Sequence, residues 1–209
     1  MTDLMGRGAG HAPAVRLILA SASSARRAVL EAAGLTFEAR AVGVDEAEAK
    51  RSAAAEGYTA GECALLLAGL KAARVRDPDA LVLGCDQLLV CEDRWFDKPP
   101  SLAAARETLL ALRGRRHVLA TAIVAWRGGR EVWRHLAEPR LTMRPFSDAF
   151  LDAYLAAEGE RLLPSVGAYR LEGPGVQLFA RIEGEHAAIL GLPLLPLLDF
   201  LRGHGALLS

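Results

Sequence analysis

The chain has 209 residues, 52% hydrophobic and 24% charged, which is enough for a sizeable core in one large domain or one domain with two lobes. Lys plus Arg and Asp plus Glu both number 25, and zero net charge disfavours a protein that coats nucleic acid while allowing a local cationic pocket. Cys63, Cys85 and Cys91 form no CxxC pair, which argues against a disulfide framework and fits a reducing, cytoplasmic compartment.

Residues 1–14 mix Gly, Ala, His and Pro without periodicity and read as a disordered tail, leaving residues 15–209 as the expected single domain. The run Leu17-Ile-Leu-Ala20 is too short for a signal core or a membrane span. With Val15 it predicts a first strand. Ser21-Ala-Ser-Ser-Ala-Arg-Arg27 follows, then a helix that Ser24 can cap and Gly34 can end. A strand, a small polar loop and a helix start together offer free N–H groups and a positive dipole end, both suited to an anion. Ser21 and Ser23 add hydroxyls. Arg26 and Arg27 oppose the dipole, so either an external anion compensates them or they are a solvated pair on a helix face.

Residues 37–42 predict a second strand. Asp45 and Glu46 at its end fit Mg²⁺, which takes one or two carboxylates and leaves phosphates to complete its shell, and they equally fit plain loop acids. Thr59-Ala-Gly-Glu62 is a capping box opening a helix to about residue 76. Lys71 lies in that helix, and a helix lysine is ordinarily solvated, so its weight depends on its neighbours.

Residues 81–90 are apolar apart from Asp86 and Gln87 and read as a strand buried on both faces. An ionised Asp86 there demands a cation or hydrogen-bond donors, which nearby turn amides could also supply. Gly84 predicts that another group approaches the backbone closely. Lys98 follows in a stiff turn bounded by Pro99 and Pro100. Ser101 and Ser147 are expected to cap helices that Gly114 and Gly159 stop. Between those helices, residues 117–126 and 131–143 are strand-like runs around Arg127-Gly-Gly-Arg130, a hairpin signal. Residues 166–175 form a glycine-rich loop carrying Glu172, and residues 177–182 predict another strand. His186 reads as a turn histidine, with no second His at metal spacing. A last apolar helix begins near Leu192 and runs to about Leu201.

Taken in order, these residues resemble the Maf-like nucleotide pyrophosphatases, once described as septum-formation inhibitors. Leu19-Ala-Ser-Ala-Ser-Ser-Ala-Arg-Arg27 is similar to their opening LASxSxxRR motif. Asp45-Glu46, Lys71-Ala72, Gly84-Cys-Asp-Gln87, Lys98-Pro99, Gly167-Ala-Tyr-Arg-Leu-Glu-Gly173 and Gly191-Leu-Pro193 follow in the family's order, so the resemblance runs from about residue 17 to residue 201.

The resemblance implies an α/β, two-lobed fold on a central twisted mixed β-sheet flanked by helices. A nucleotide cleft lies between the lobes, as in the related inosine triphosphate pyrophosphatases. It implies house-cleaning hydrolysis of a nucleoside triphosphate to its monophosphate and pyrophosphate, with a divalent metal cation, Mg or Mn, in a homodimer. No nucleic acid and no membrane are implied. Asp86 would accept a proton or hold metal-bound water, Lys71 and Lys98 would clamp phosphates, and Ser21, Ser23, Arg26 and Arg27 would cradle the triphosphate. Glu46, with Asp45 and Asp86, would be metal-side carboxylates. Positions that select the base match Ala25, Gln87 and Glu172. Gln87 and Glu172 resemble the branch linked to 7-methyl-GTP, while Ala25 departs from it by lacking an aromatic side chain to stack on a cationic base. The alternatives are a UTP or dTTP enzyme, an enzyme for inosine or xanthosine triphosphates, and a nucleotide-binding regulator without catalysis.

Overall fold

The computed structural model describes residues 15–207, and the tail expected over residues 1–14 lies outside them. In chain order the described residues form β1 (Leu17–Ala20), α1 (Ser24–Ala32), β2 (Glu38–Ala39), α2 (Glu46–Ala55), α3 (Ala60–Ala73), β3 (Leu81–Cys91), β4 (Arg94–Phe96), α4 (Leu102–Leu112), β5 (Arg116–Arg127), β6 (Arg130–Ala137), β7 (Arg140–Met143), α5 (Asp148–Glu158), β8 (Phe179–Glu183), α6 (His186–Ile189) and α7 (Leu194–Gly203). The architecture is α/β, with parallel and antiparallel strand pairs in a mixed sheet flanked by helices. Two compact units share β3 and β5. The first comprises the chain through Asp86, residues 121–137 and the chain from His186, and the second comprises residues 87–120 and 138–185.

In the first unit β1 runs parallel between β2 and β3, with Leu17 opposite Leu81 and Ala20 opposite Gly84. Every residue of β1 is buried, because both faces of these strands are covered. Leu17, Leu19, Leu81 and Leu83 pack with Leu30 of α1 and with Leu197, Phe200 and Leu201 of α7. Ile18, Ala20 and Val82 pack with Ala72 of α3 on the other side. The approach of α3 to β3 is extreme at one point. A Cβ on Gly84 would lie 2.0 Å from the Ala68 carbonyl oxygen and 2.8 Å from the Ala72 nitrogen. The close neighbour expected at Gly84 is therefore the backbone of α3. Ala64, Ala68 and Ala72, small and buried at four-residue spacing, fit that approach.

In the second unit β5 pairs antiparallel with β7, and β7 with β8. His117 on β5 is 1% exposed, and its Nε2 lies 2.9 Å from the Tyr169 hydroxyl in hydrogen-bond contact. The rings of Tyr169 and Phe179 enclose it. Helices α4 and α5 start at the expected serines, whose side chains accept from the Ala104 and Phe150 amides.

Several elements differ from the sequence expectation. The cap of α1 is Ser23, not Ser24, since the Ser23 side chain accepts from the Arg26 amide. The strand expected over residues 37–42 shrinks to the two exposed residues of β2. The acidic segment after Val44 is helix α2, which buries only Ala53 and so carries no apolar period. Helix α3 ends at Ala73, short of residue 76. The run over 131–143 splits into β6 and β7 around Pro139, which cannot donate to a ladder. The hairpin before it closes with Gly128 and Gly129 both at positive φ, 58° and 77°, as a primed turn requires.

Replacing Gly84 by Ala forces α3 away from β3, and overpacking of this kind costs about 1–3 kcal/mol or more. Urea unfolding of Gly84→Ala is expected to show a lowered midpoint with an unchanged slope. A second expectation concerns acid. Burial holds the His117 imidazole down at about 4, against 6.5 when unfolded. As pH falls, the unfolded chain therefore binds its proton first. Stability is full above about 6.5 and falls as pH drops toward about 4, by about 3 kcal/mol at this one site. His117→Phe should flatten that part of a stability–pH curve measured by denaturation, and an unchanged curve would refute the assignment.

Candidate active site

Strand β2 lies on one side of β1 and β3 on the other. The chain thus leaves β1 in one direction and returns on the opposite side, and ligands of open α/β sheets bind outside the carboxyl ends of strands at such a switch point. The residues that follow β1 stand there. Ser21 is 7% exposed, and its hydroxyl accepts from the Ser23 amide at 3.2 Å. Ser23 in turn caps α1, leaving the helix start open to an anion.

Arg26 reaches back across this corner. Its Nε donates to the Gly191 carbonyl at 2.8 Å, and its Nη1 donates to the Cys85 carbonyl at 3.0 Å and to Ser21 Oγ at 3.3 Å. All three acceptors are neutral, so the guanidinium is anchored while its charge meets no carboxylate among the described residues. Gly191 has φ of +100°, and a Cβ there would stand 3.1 Å from Arg26 Nε, so a glycine is needed for this contact. Arg27 is exposed on α1, and Ala25 beside it is half-buried.

The carbonyl that Arg26 grips belongs to the residue before Asp86. Asp86 is 4% exposed on β3. Its Oδ1 accepts from Lys71 Nζ at 2.5 Å, and the same ammonium reaches Glu46 Oε1 at 2.7 Å. Lys71 is not the solvated helix lysine of the ordinary case; it is 8% exposed because Gly84 lets α3 lie against β3. Glu46 is the first residue of α2. Its neighbour Asp45 caps that helix, with Oδ1 accepting from the Glu48 amide at 2.9 Å. The two adjacent acids thus do different things. Asp86 Oδ2 is buried with no hydrogen-bond partner among the described residues. A buried carboxylate oxygen left so is costly, and it is an acceptor that a hard cation or a water would satisfy.

Cys85 sits between Gly84 and Asp86. Burial pushes its thiol up to about 11 against the pull of nearby Arg26 and Lys71, so it is neutral and no nucleophile.

The remaining expected residues belong to the second unit. Gln87 follows Asp86 on β3 and is half-buried, and Lys98 is exposed just after β4. Glu172 is exposed and its Oε1 accepts from Arg170 Nε at 3.2 Å. Arg170 also donates from Nη1 to Glu158 Oε2 at 3.1 Å, and Glu158 is 4% exposed. Sequence reasoning passed over Arg170 and Glu158. The signal for Arg170 was its place two residues before Glu172, whereas Glu158 at the end of α5 had none.

Residues 16–204 match the family model described as Maf-like protein. A protein of Granulibacter bethesdensis named nucleoside triphosphate pyrophosphatase is 58% identical over 195 residues, covering 92% of this chain and 99% of that protein. Another of that name, from Rhodospirillum rubrum, is 54% identical over 92% of this chain and 96% of its own length. A Rhizobium meliloti protein named 7-methyl-GTP pyrophosphatase is 50% identical over 91% of this chain and 97% of its own length. With a family model spanning all of β1 through α7, and relatives sharing half their residues or more over nearly their full length, this chain belongs to the Maf-like protein family.

Proposed function

We propose that the chain hydrolyses a nucleoside triphosphate to its monophosphate and pyrophosphate, using Asp86 on β3 and the loop that follows β1. The observation that carries this reading is the buried Asp86, pinned by Lys71 through one oxygen and left with the other unpartnered, next to an anion-ready helix start. In the reaction a water oxygen bonds to the α-phosphorus while the bond to the α–β bridging oxygen breaks. That oxygen leaves with pyrophosphate. Asp86 orients the water and takes its proton, a role that requires a fixed carboxylate. Lys71 supplies the fixing. Ser21, Ser23 and the amides at the start of α1 hold phosphate oxygens, and Arg26, Arg27 and Lys98 supply the positive charge that the departing pyrophosphate needs.

A divalent cation, Mg or Mn, fits the donor set. Asp86 and Glu46 offer hard carboxylate oxygens around one lysine, with Asp45 adjacent. Among the described residues no three His, Cys, Asp or Glu side chains gather to hold a metal. That suits an ion that takes one or two carboxylates and completes its shell on phosphates. When bound, such a cation would neutralise charge on the phosphate oxygens and lower the pKa of water.

For the base we propose guanine, in its 7-methylated form. The Glu172 carboxylate can accept from guanine N1–H and the exocyclic amine, and its charge favours a cationic ring. Gln87 and Ala25 complete the base-reading positions, and the Rhizobium meliloti relative bears the corresponding name. A homodimer in the cytoplasm is part of the same proposal. The three cysteines are free thiols, and no helix among the described residues is long and apolar enough to cross a membrane.

Pyrophosphate release from 7-methyl-GTP, GTP, UTP, dTTP, ITP and XTP, with Mg²⁺ or Mn²⁺ present, tests this. Asp86→Asn is expected to lower kcat by about 100-fold or more while calorimetry still detects nucleotide binding. A near wild-type rate removes Asp86 from the mechanism. Binding without turnover in the wild type favours the regulator. Highest kcat/KM with UTP or dTTP overturns the guanine reading alone.

A further inference from the structure

The glycine-rich loop of the second unit is tied down more firmly than a surface loop requires. His117 holds Tyr169 from β5. The Gly173 amide donates to the Arg170 carbonyl at 3.3 Å, closing a tight turn around Glu172. Gly175 folds over the same residue: a Cβ there would stand 2.4 Å from the Arg170 carbonyl oxygen and 2.8 Å from the Tyr154 hydroxyl. At the centre is Arg170, whose guanidinium divides between two carboxylates of opposite character. Glu158 is buried, and Glu172 is exposed.

Glu158 is held from a second direction. Arg161 Nη2 donates to Glu158 Oε1 at 3.4 Å and to the Ala157 carbonyl at 2.6 Å, at the end of α5. The cluster therefore contains two arginines and two glutamates, with no net charge. Its geometry is asymmetric. The inner carboxylate engages both guanidinium groups, whereas Glu172 has only Nε of Arg170, on Oε1. Glu172 Oε2 has no hydrogen-bond partner among the described residues. A carboxylate oxygen carries two lone pairs, so Oε1 can also accept from a ligand while Arg170 holds it.

We propose that Arg170, anchored on buried Glu158, is the positioning residue that fixes Glu172 for recognition of the purine edge. This rests on the reading of Glu172 as the base-selecting carboxylate. An exposed glutamate samples several rotamers, and ordering it on binding weakens affinity. Arg170 removes that freedom in advance, because its planar fork is itself set by Glu158. The second carboxylate also draws part of the guanidinium charge away from Glu172. Glu172 thus keeps more of its negative charge for a cationic or amine-bearing base.

The test is a double-mutant cycle read in steady-state kinetics. Wild type, Glu172→Gln, Arg170→Met, Arg170→Lys and the double variant Arg170→Met/Glu172→Gln are assayed with 7-methyl-GTP and with UTP, with a melting curve for each. Arg170→Met should raise the ratio of the 7-methyl-GTP KM to the UTP KM by about tenfold, the size of a lost charged hydrogen bond, with the effect in KM rather than kcat. Arg170→Lys should recover part of it. The double variant should be no worse than Glu172→Gln alone, because Arg170 acts through Glu172. If Glu172→Gln raises the ratio and Arg170→Met does not, or if the two effects add, the positioning role is overturned and the base reading stands. If Glu172→Gln leaves the ratio unchanged, the base reading itself fails and takes the inference with it. Should Arg170→Met melt below the assay temperature, Arg170→Gln carries the comparison, since an unchanged ratio in that uncharged variant overturns the role equally.

Discussion

A carbonyl oxygen of α3 occupies the place where any side chain on residue 84 would begin. This contact sets the depth at which α3 lies on β3, and with it the reach of Lys71. A lysine one layer further out would be solvated and would let Asp86 find its own partner. At the depth observed, the ammonium is shielded and lies between Asp86 and Glu46. Removing the Asp86 carboxylate and the Lys71 ammonium from water is expensive, and a buried pair of this kind stabilises the fold little in net terms, while Glu46 meets the lysine from the solvent side. Its value is geometric, because one buried cation fixes the direction of a carboxylate on β3 and of another at the start of α2.

The corner after β1 works by the opposite device. Arg26 is held by three neutral oxygens, from Ser21, Cys85 and Gly191. Neutral acceptors fix a guanidinium without cancelling its charge. The positive potential of that corner, reinforced by the start of α1, thus persists for an incoming anion. Lys71 joins Asp86 and Glu46, whereas Arg26 meets no carboxylate among the described residues, which is the balance that a polyanionic ligand would complete.

Much of this was visible in the residues, but unevenly. The buried strand around Asp86, the capping box at Thr59 and the glycine hairpin depend on local chemistry, and local chemistry is what a sequence displays. Gly84 declared a close approach without saying what approached, because the partners, Ala68 and Ala72, lie upstream on a helix whose packing no local rule specifies. Asp45 and Glu46 looked equivalent as neighbours. They separate only once α2 is seen to begin between them, and α2, almost all Ala, Glu and polar residues, has no apolar stripe to announce itself. Ser24 was the expected cap of α1, and Ser23 takes that place because the helix begins one residue earlier than its sequence suggested. Glu158 was silent altogether: an acid at a helix end next to a stopping glycine looks solvated, and its burial depends on two arginines that follow it.

The sulfur beside Asp86 adds a consequence of a different kind. Peroxide and related oxidants attack cysteine as the thiolate, at sites where solvent can enter. Cys85 is sealed and held in its protonated form, and Cys63 and Cys91 are buried as well. The groups that surround the proposed reaction are oxygen and nitrogen bases that such reagents leave alone. The hydrolysis proposed here would therefore not depend on the redox state of a cysteine, although one stands next to Asp86 in the chain.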